Sequence, residues 1–286
     1  TLGTKGSTQV VVPSLTEHYG AKRDPPEKSF AICTLAHFPR LIEHTLAWAR
    51  DFFEEAFKQT ADDVNAYLDN PNFFQSLQNQ QNMKLDTLNR ILDSVVTSRP
   101  SSYADCVVWA RHKFQDMFVN KIKQLLHNFP LDKQIKSNGG SGPSVPFWSG
   151  AKQPPSPLPF EADEPLHMDF IKTCAKLRAG AFGLAVEEDD TTIKAVLATV
   201  QVTEFRPVDG LVMPSTEEEA KTNDASAAAS MDVDQQCSGV MSALPDPTSL
   251  RDSGYAFASL SFDKDDDAQM QFITACSNCR ARNYGI

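Results

Sequence analysis

The side chains best suited to covalent chemistry in this sequence are its six cysteines, at positions 33, 106, 174, 237, 276 and 279. A cysteine thiolate is a strong nucleophile at neutral pH. The six are sparse for 286 residues and lack the spacing of a disulfide framework, which favours a reduced, intracellular protein. For Cys33, the role of nucleophile competes with the commoner role of a buried apolar thiol.

Two local patterns around these cysteines suggest more specific chemistry. His37 follows Cys33 by four residues, which raises the idea of a Cys–His hydrolase. However, the cysteine and histidine of a catalytic pair are usually far apart in sequence, so this proximity is not evidence for catalysis. We therefore expect His37 not to be catalytic, and we expect His44 to pack or cap a polar network. Cys276 and Cys279 form one CxxC, which without a second pair is weak evidence for zinc or redox chemistry, so both are expected to pack in the core.

An acidic motif, FDKDDD at 262–267, could suggest a cation site. It lacks the glycine and the final glutamate of a calcium-binding loop. A polar junction between a strand and a helix, with acids near the helix N-terminus, fits the motif better.

The elements that must position these residues are mostly helical. Apolar side chains recur at helical spacing, and Thr60 with Asp63 and Ser102 with Asp105 resemble capping boxes. Helices are predicted over 40–57, 60–70, 84–96, 102–127, 166–182, 190–200 and 268–283. Residues 8–13 and 255–263 read as short strands, 200–207 as extended chain and 137–160 as a loop. The predicted fold class is α+β, predominantly α-helical, with a few short strands near the chain ends.

Composition excludes several classes of function. Apolar residues make up 41% and charged residues 22%, as in an ordinary globular protein. No window approaches the run of about 18 apolar residues that would span a bilayer, and the first residues do not resemble a secretory signal. The net charge of −10 argues against nucleic-acid binding and permits a basic protein partner, or it is simply a solvated acidic surface. Residues 215–240 are acidic and rich in Ala and Ser, which predicts a largely mobile stretch.

Six collinear segments carry a more specific signal than composition does. They are QVVVPSLTEHY, DPPEKSFAICTLAHFPRLIEHTLAWARDFFE, QLLHNFP, PFWSGAKQPPSPLPF, FDKDDD and FITACSNCRARNYGI. In this order and spacing they closely resemble the region around the active cysteine of eukaryotic ubiquitin-activating enzymes. The resemblance covers nearly the whole chain except the loop at 137–145 and the acidic stretch.

The resemblance implies a fragment of such an enzyme, its second catalytic-cysteine half-domain, and a two-step acyl transfer. Cys33, matched through ICTLxxFP, would attack the ubiquitin adenylate, carry ubiquitin as a thioester and pass it to a conjugating-enzyme cysteine. ATP and magnesium would belong to the parent enzyme, with no cofactor in this segment. The implied partners are ubiquitin, conjugating enzymes and the adenylation domain of the same polypeptide, without nucleic acid or membrane. A monomer in the cytoplasm and nucleus is expected.

Two further site residues follow from the same resemblance. The hydroxyl or backbone N–H of Thr34 could stabilise an oxyanion, or Thr34 could be a turn residue that hydrogen-bonds locally. Thr216 and Glu217 take the place of an Asn-Asp-like pair associated with thioester formation. Glu217 could therefore act as a base, the alternative being a solvated acidic run.

The nucleophile's surroundings are expected to depart from relatives at one position. Ala36 replaces a Lys or Arg of relatives, so Arg40 or Lys28 would have to supply that charge. Cys33 is expected in a non-helical lead-in that Pro39 ends, near enough to a helix N-terminus for the dipole to favour a thiolate. Because the family implies a large rotation of this domain, Cys33 is expected to be exposed in isolation.

The domain organisation follows the same outline. Residues 1–28 are expected to derive from the adenylation domain and its crossover linker, and 29–214 to form the helical catalytic-cysteine domain. Residues 215–250 would be the mobile acidic segment, and 251–286 a strand and helix returning toward the adenylation domain, where Asn278 and Arg280 are structural. The alternatives are a non-catalytic module that binds ubiquitin or a conjugating enzyme, an activating enzyme for a related modifier, and an independent cysteine hydrolase.

Overall fold

The computed structural model describes residues 8–18, 30–77, 81–136, 142–187, 189–216, 218–219 and 231–286. The chain divides into two compact units, Thr1–Phe30 and Ala31–Ile286. In the first unit, residues 8–13 are not a strand. The exposed valines at 10–12 lead into a turn at 13–15, where the Val12 carbonyl accepts backbone hydrogen bonds from Leu15 and Thr16. Among the described residues no strand pairs with this run.

The second unit is built from helices. In chain order they are α1 Ile32–Ala36, α2 Ile42–Phe53, α3 Thr60–Asp69, α4 Phe73–Leu77, α5 Gln81–Leu92, α6 Tyr103–Gln115, α7 Lys121–Asn128, α8 Pro165–Ala181, α9 Asp190–Thr199, α10 Met231–Ala243, α11 Pro247–Asp252 and α12 Asp267–Tyr284. Three π-helical turns, Glu54–Gln59, Asp93–Thr97 and Asp116–Asn120, continue α2 into α3, extend α5 and continue α6 into α7. The predominantly helical α+β fold is confirmed, and no helix in the described ranges has the length and apolarity to cross a membrane.

The capping signals had different outcomes. Ser102 and Asp105 form the predicted capping box, each side chain bonded to the other's backbone. Thr60 is the first residue of α3 but not the start of a separate helix, because the backbone before it is already helical and no side chain caps α3 there. It lies inside the continuous helix Ile42–Asp69, and its hydroxyl donates to the Glu55 carbonyl at 2.6 Å. The apolar stripe runs on through Ala56, Phe57, Ala61 and Val64, so burial carries the helix past this position.

Among the described residues, the strands lie in the middle of the chain and not near its ends. β1 Gln134–Lys136 and β2 Ser144–Pro146 form an antiparallel pair in which Ile135 faces Val145. Residues 255–263 are extended, and no strand in the described part of the chain pairs with them. The alternating pattern buries Tyr255 and Phe257. The backbone of this segment forms hydrogen bonds with helical residues: the Ala258 N–H donates to the Ala181 carbonyl, and the Leu260 N–H donates to the Phe57 carbonyl. The strand-like alternation therefore reflects packing of an extended segment against helices, and not pairing in a sheet.

Three apolar clusters hold this unit together. The largest joins α2, α6, α8, α9 and α12 around Phe53, Phe114, Phe170 and Phe272. A second joins α3, α4, α5, α10 and α11. The third is the aromatic cluster, defined here as Phe38, Phe129, Phe147 and Trp148.

Part of the segment expected to be mobile is helical. Residues 231–252 form α10 and α11, whereas 220–230 lie outside the described residues. Val233, Cys237, Val240 and Leu244 recur every three or four residues and pack with Leu250 on the second cluster. This stripe supplies the apolar burial that the acidic composition concealed.

Candidate active site around Cys33

The predicted nucleophile lies in the one-turn helix α1. Cys33 is the buried residue of that helix, with 7% of its surface exposed, while its neighbour Ile32 takes the outward position with 70% exposed. The expectation of an exposed cysteine in a non-helical lead-in is therefore wrong. A single helical turn buries only one of its sides, and α1 turns the Cys33 side inward. The helix ends before Pro39, because a proline disfavours helical backbone at the residue preceding it.

Thr34 takes part in the same turn. Its backbone N–H donates to the Ala31 carbonyl at 2.9 Å, so that group is already engaged within α1. Its half-buried hydroxyl has no hydrogen-bond partner in the described part of the chain. The hydroxyl is thus the group of Thr34 that could support an oxyanion, and that role stays a prediction.

The aromatic cluster brings two other motif segments to Phe38, which follows α1 by two residues. The centre of the Phe38 ring lies 6.0 Å from that of Phe129, 5.8 Å from Phe147 and 5.9 Å from Trp148. Phe129 and Phe147 stack at 4.5 Å, and the indole N–H of Trp148 donates to the Phe129 carbonyl at 2.9 Å. The segments AHFP, HNFP and PFWSG, distant in sequence, therefore form one wall beside the cysteine helix.

Lys152 supplies a positive charge at this wall. Its ammonium group lies 4.9 Å from the centre of the Phe38 ring and 4.5 Å from that of Phe147. Burial lowers the pKa of Lys152, while the negative charges of Glu219 and of a Cys33 thiolate oppose that effect. Sequence reasoning did not single out Lys152. The available signal was a lone lysine in an otherwise uncharged aromatic and proline-rich motif, PFWSGAK.

The structure describes one of the two residues that were predicted to replace the charge missing at Ala36. Arg40 is exposed, and Lys28 lies outside the described residues. Among the described residues, Lys152 lies over the ring of Phe38, which follows α1, and Arg280 donates to the carbonyl of Ala36 at the end of α1.

The acidic candidate falls outside what the structure describes. Glu217 is not among the described residues, so its proposed role as a base stays a prediction. Two residues later, the Glu219 carboxylate accepts from the backbone and hydroxyl of Ser215 at 2.7 and 2.9 Å. The Ser215 backbone bond, followed by its hydroxyl and the Lys152 charge, holds the pKa of Glu219 below its usual value despite some burial. An ionised carboxylate therefore lies close enough to Lys152 for the two charges to interact.

His44 packs as expected, whereas the non-catalytic role expected for His37 stays a prediction. Burial, together with the charge of Arg280, lowers the pKa of His37 to about 4, so its imidazole is neutral at physiological pH. His44 is buried at the start of α2, where its Nδ1 accepts from the Arg40 backbone N–H at 3.2 Å.

The other cysteines lie in the apolar clusters. Cys106, Cys174, Cys276 and Cys279 belong to the largest cluster and Cys237 to the second. Burial raises the pKa of the first four thiols, that of Cys279 to about 12. Within the described residues no group of three or more His, Cys, Asp or Glu is placed to hold a metal ion. The CxxC pair packs in the core.

Helix α12 links the acidic motif to the cysteine helix. Asp266 caps its N-terminus by accepting from the backbone N–H groups of Ala268 and Gln269 at 2.9 and 3.1 Å. At the other end, Arg280 and Tyr284 donate to carbonyls of α1 and of the residue that follows it. The FDKDDD motif is therefore a helix cap, as its composition suggested.

Comparison with known proteins gives a consistent picture. Residues 39–286 match the sequence profile described as ubiquitin-activating enzyme, SCCH domain, a match that begins six residues after Cys33. The whole chain is 46% identical to ubiquitin-like modifier-activating enzyme 1 of Dictyostelium discoideum, of which it covers 28%. It is 45% identical to the Homo sapiens enzyme of that name and to ubiquitin-activating enzyme E1 1 of Schizosaccharomyces pombe, covering 26% and 27% of them. The chain thus spans about a quarter of the length of these relatives.

Proposed function

Because this chain belongs to the SCCH-domain family of ubiquitin-activating enzymes, we propose that it is the thioester-carrying part of such an enzyme, with Cys33 as the nucleophile. The observation that carries this proposal is the convergence of the HNFP and PFWSG segments and of Lys152 on Phe38, two residues after α1. Cys33 is also the most exposed of the six thiols, and burial raises the pKa of four of the others.

The proposed reaction has two acyl-transfer steps. The Cys33 thiolate, formed by loss of its proton to solvent, attacks the carbonyl carbon of the ubiquitin C-terminal adenylate. A C–S bond forms, the C–O bond to the phosphate breaks, and AMP leaves. A conjugating-enzyme thiolate then attacks the thioester carbonyl, a new C–S bond forms, and Cys33 leaves as a thiolate.

The residues around Cys33 have distinct parts in this proposal. Lys152 stabilises the thiolate before attack and again when it leaves, because a nearby cation favours the charged form. Glu219 holds Lys152 at the wall through their opposite charges. The Thr34 hydroxyl donates to the oxyanion of the tetrahedral intermediate. ATP and its magnesium ion are bound by the adenylation domain of the parent enzyme, which also forms the adenylate.

Transfer of ubiquitin to the chain tests this proposal. In the full-length Dictyostelium discoideum relative, this chain would replace the corresponding region. The resulting grafted enzyme would be incubated with ATP, magnesium and ubiquitin. We expect an adduct that thiols cleave, that is lost in Cys33→Ala and that is retained in the control Cys237→Ala. An adduct that persists in Cys33→Ala, or that forms without ATP, would rule out the proposed reaction.

A further inference from the structure

One face of helix α12 binds three consecutive carbonyl groups at the end of the cysteine helix. Arg280 Nη2 donates to the carbonyls of Leu35 at 3.1 Å and Ala36 at 2.6 Å, and the Tyr284 hydroxyl donates to that of His37 at 2.8 Å. Arg280 and Tyr284 are four residues apart, so they lie on the same side of their helix. Two side chains thus satisfy three carbonyls of the turn that carries Cys33.

Arg280 is an unusual cation for this position. It is 2% exposed, and no carboxylate lies within ion-pair distance of it among the described residues. Its guanidinium lies 4.5 Å from the centre of the Trp48 ring and 4.9 Å from that of Tyr284. An unpaired buried charge is costly unless hydrogen bonds and aromatic faces offset its lost hydration. Here the hydrogen bonds that offset it go to α1.

Helix α1 has few other means of holding its position. It has five residues, far below the length at which a helix is stable by itself, and no side chain caps its N-terminus. Its last carbonyls have no partner within the helix and must be satisfied from outside. Arg280 and Tyr284 supply that contact, and Cys33 lies within one turn of the carbonyls they bind.

We propose that Arg280, supported by Tyr284, is a positioning residue for the thioester step: it fixes α1 and hence the Cys33 sulfur without contacting the reacting atoms. This inference rests on the proposed function of Cys33. It explains why a buried arginine, which the sequence suggested was structural, donates to the cysteine helix and not to a carboxylate.

The test uses the grafted full-length enzyme with Arg280→Met, Arg280→Lys and, as the matched control on the same helix, Arg282→Met. Arg282 is half-exposed and pairs with Glu164 at 3.0 Å. Ubiquitin-dependent ATP–pyrophosphate exchange reports adenylation, and single-turnover thioester formation reports attack by Cys33. We expect Arg280→Met to slow thioester formation by about 10-fold or more, since small displacements of a reacting group are costly, with exchange unchanged. Arg280→Lys should recover part of that rate, and Arg282→Met should match the parent.

A second readout separates positioning from general destabilisation. Iodoacetamide alkylation of Cys33 should become faster in Arg280→Met, because a loosened α1 exposes the thiol, while thioester formation becomes slower. Thioester formation in Arg280→Met within twofold of the Arg282→Met rate would overturn the inference. If Arg280→Met does not fold, the test uses Arg280→Lys and Tyr284→Phe instead. Slower thioester formation with a normal unfolding transition would support the positioning role. Rates equal to the parent's in both variants would overturn it. An adduct that survives Cys33→Ala would instead overturn the proposed function and this inference with it.

Discussion

The Lys152 ammonium group stands 4.5 Å from the centre of the Phe147 ring, on the same aromatic wall to which Phe38 anchors the cysteine helix. The contact places a cation from a proline-rich loop beside the predicted nucleophile. Lys133 offers a natural comparison, since its ammonium group lies 4.5 Å from the Phe129 ring but donates to the Asn128 carbonyl. Both lysines contact the aromatic cluster, but Lys133 donates to a backbone carbonyl, whereas the charge of Lys152 interacts with those of Glu219 and a Cys33 thiolate.

Removing the Lys152 charge should slow the chemistry of Cys33. Lys152→Met keeps an apolar side chain on the aromatic rings but removes the charge that favours a thiolate. We expect both iodoacetamide alkylation and thioester formation to slow by roughly 5-fold, the effect of about 1 kcal/mol of lost charge stabilisation. Rates followed by mass spectrometry measure this, with Lys133→Met as the control. Equal rates in the two variants would show that the Lys152 charge does not act on Cys33.

Thiol reactivity should differ sharply between the site and the core. Burial raises the pKa of Cys174, Cys276 and Cys279, so their thiolates are scarce at neutral pH and inaccessible. We expect limited alkylation of the folded chain to modify Cys33 first and to leave these three intact until unfolding. Peptide mapping of the alkylated chain checks this. Early labelling of the CxxC pair would contradict its place in the core.

The stability of the folded chain should decrease as pH decreases, partly because of His37. Its pKa is about 4 in the folded chain and near 6.5 when unfolded, so the unfolded state binds a proton first as pH falls. The stability that the neutral imidazole contributes is present above about pH 6.5 and is lost as pH falls from there toward 4. We expect His37→Gln to have a shallower decrease in melting temperature between about pH 7 and pH 5 than the parent. An identical decrease in both proteins would count against a neutral His37 beside Arg280.

Residues 231–252 should contribute to stability. Leu250 is buried in the second cluster, and Leu250→Ala should lower the free energy of unfolding by about 2–5 kcal/mol through lost burial and a cavity. Leu211→Ala, at an exposed leucine, should change it by less than about 0.5 kcal/mol. Chemical denaturation measures both. A small effect at Leu250 would mean that α10 and α11 are only loosely held.

The sequence predicted the long helices well because their apolar stripes are continuous, as in α8 and α12. It failed where long-range contacts decide the structure. Thr60 has the sequence pattern of a helix start, yet the buried apolar side chains before and after it in the sequence keep the chain helical there. Tyr255 and Phe257 alternate like a strand, yet their backbone partners lie on helices.

The candidate site divides in the same way. A resemblance in local motifs located Cys33, but no local pattern indicated that Lys152 and Arg280, far along the chain, would face its helix. Ala36 drew attention to a missing charge without showing its replacement. Only the folded chain brings Lys152, from the Pro-rich loop, and Arg280, from α12, to the end of α1.

The central claim is that Cys33 carries the acyl group, and trapping the carrier tests it most directly. In the grafted full-length enzyme, Cys33→Ser would convert the labile thioester into an oxyester that survives reductant and can be mapped by mass spectrometry. We expect ATP-dependent attachment of ubiquitin at position 33 and at none of the five remaining cysteines. Ubiquitin recovered on Cys237 or on a core cysteine, with position 33 unmodified, would contradict the account.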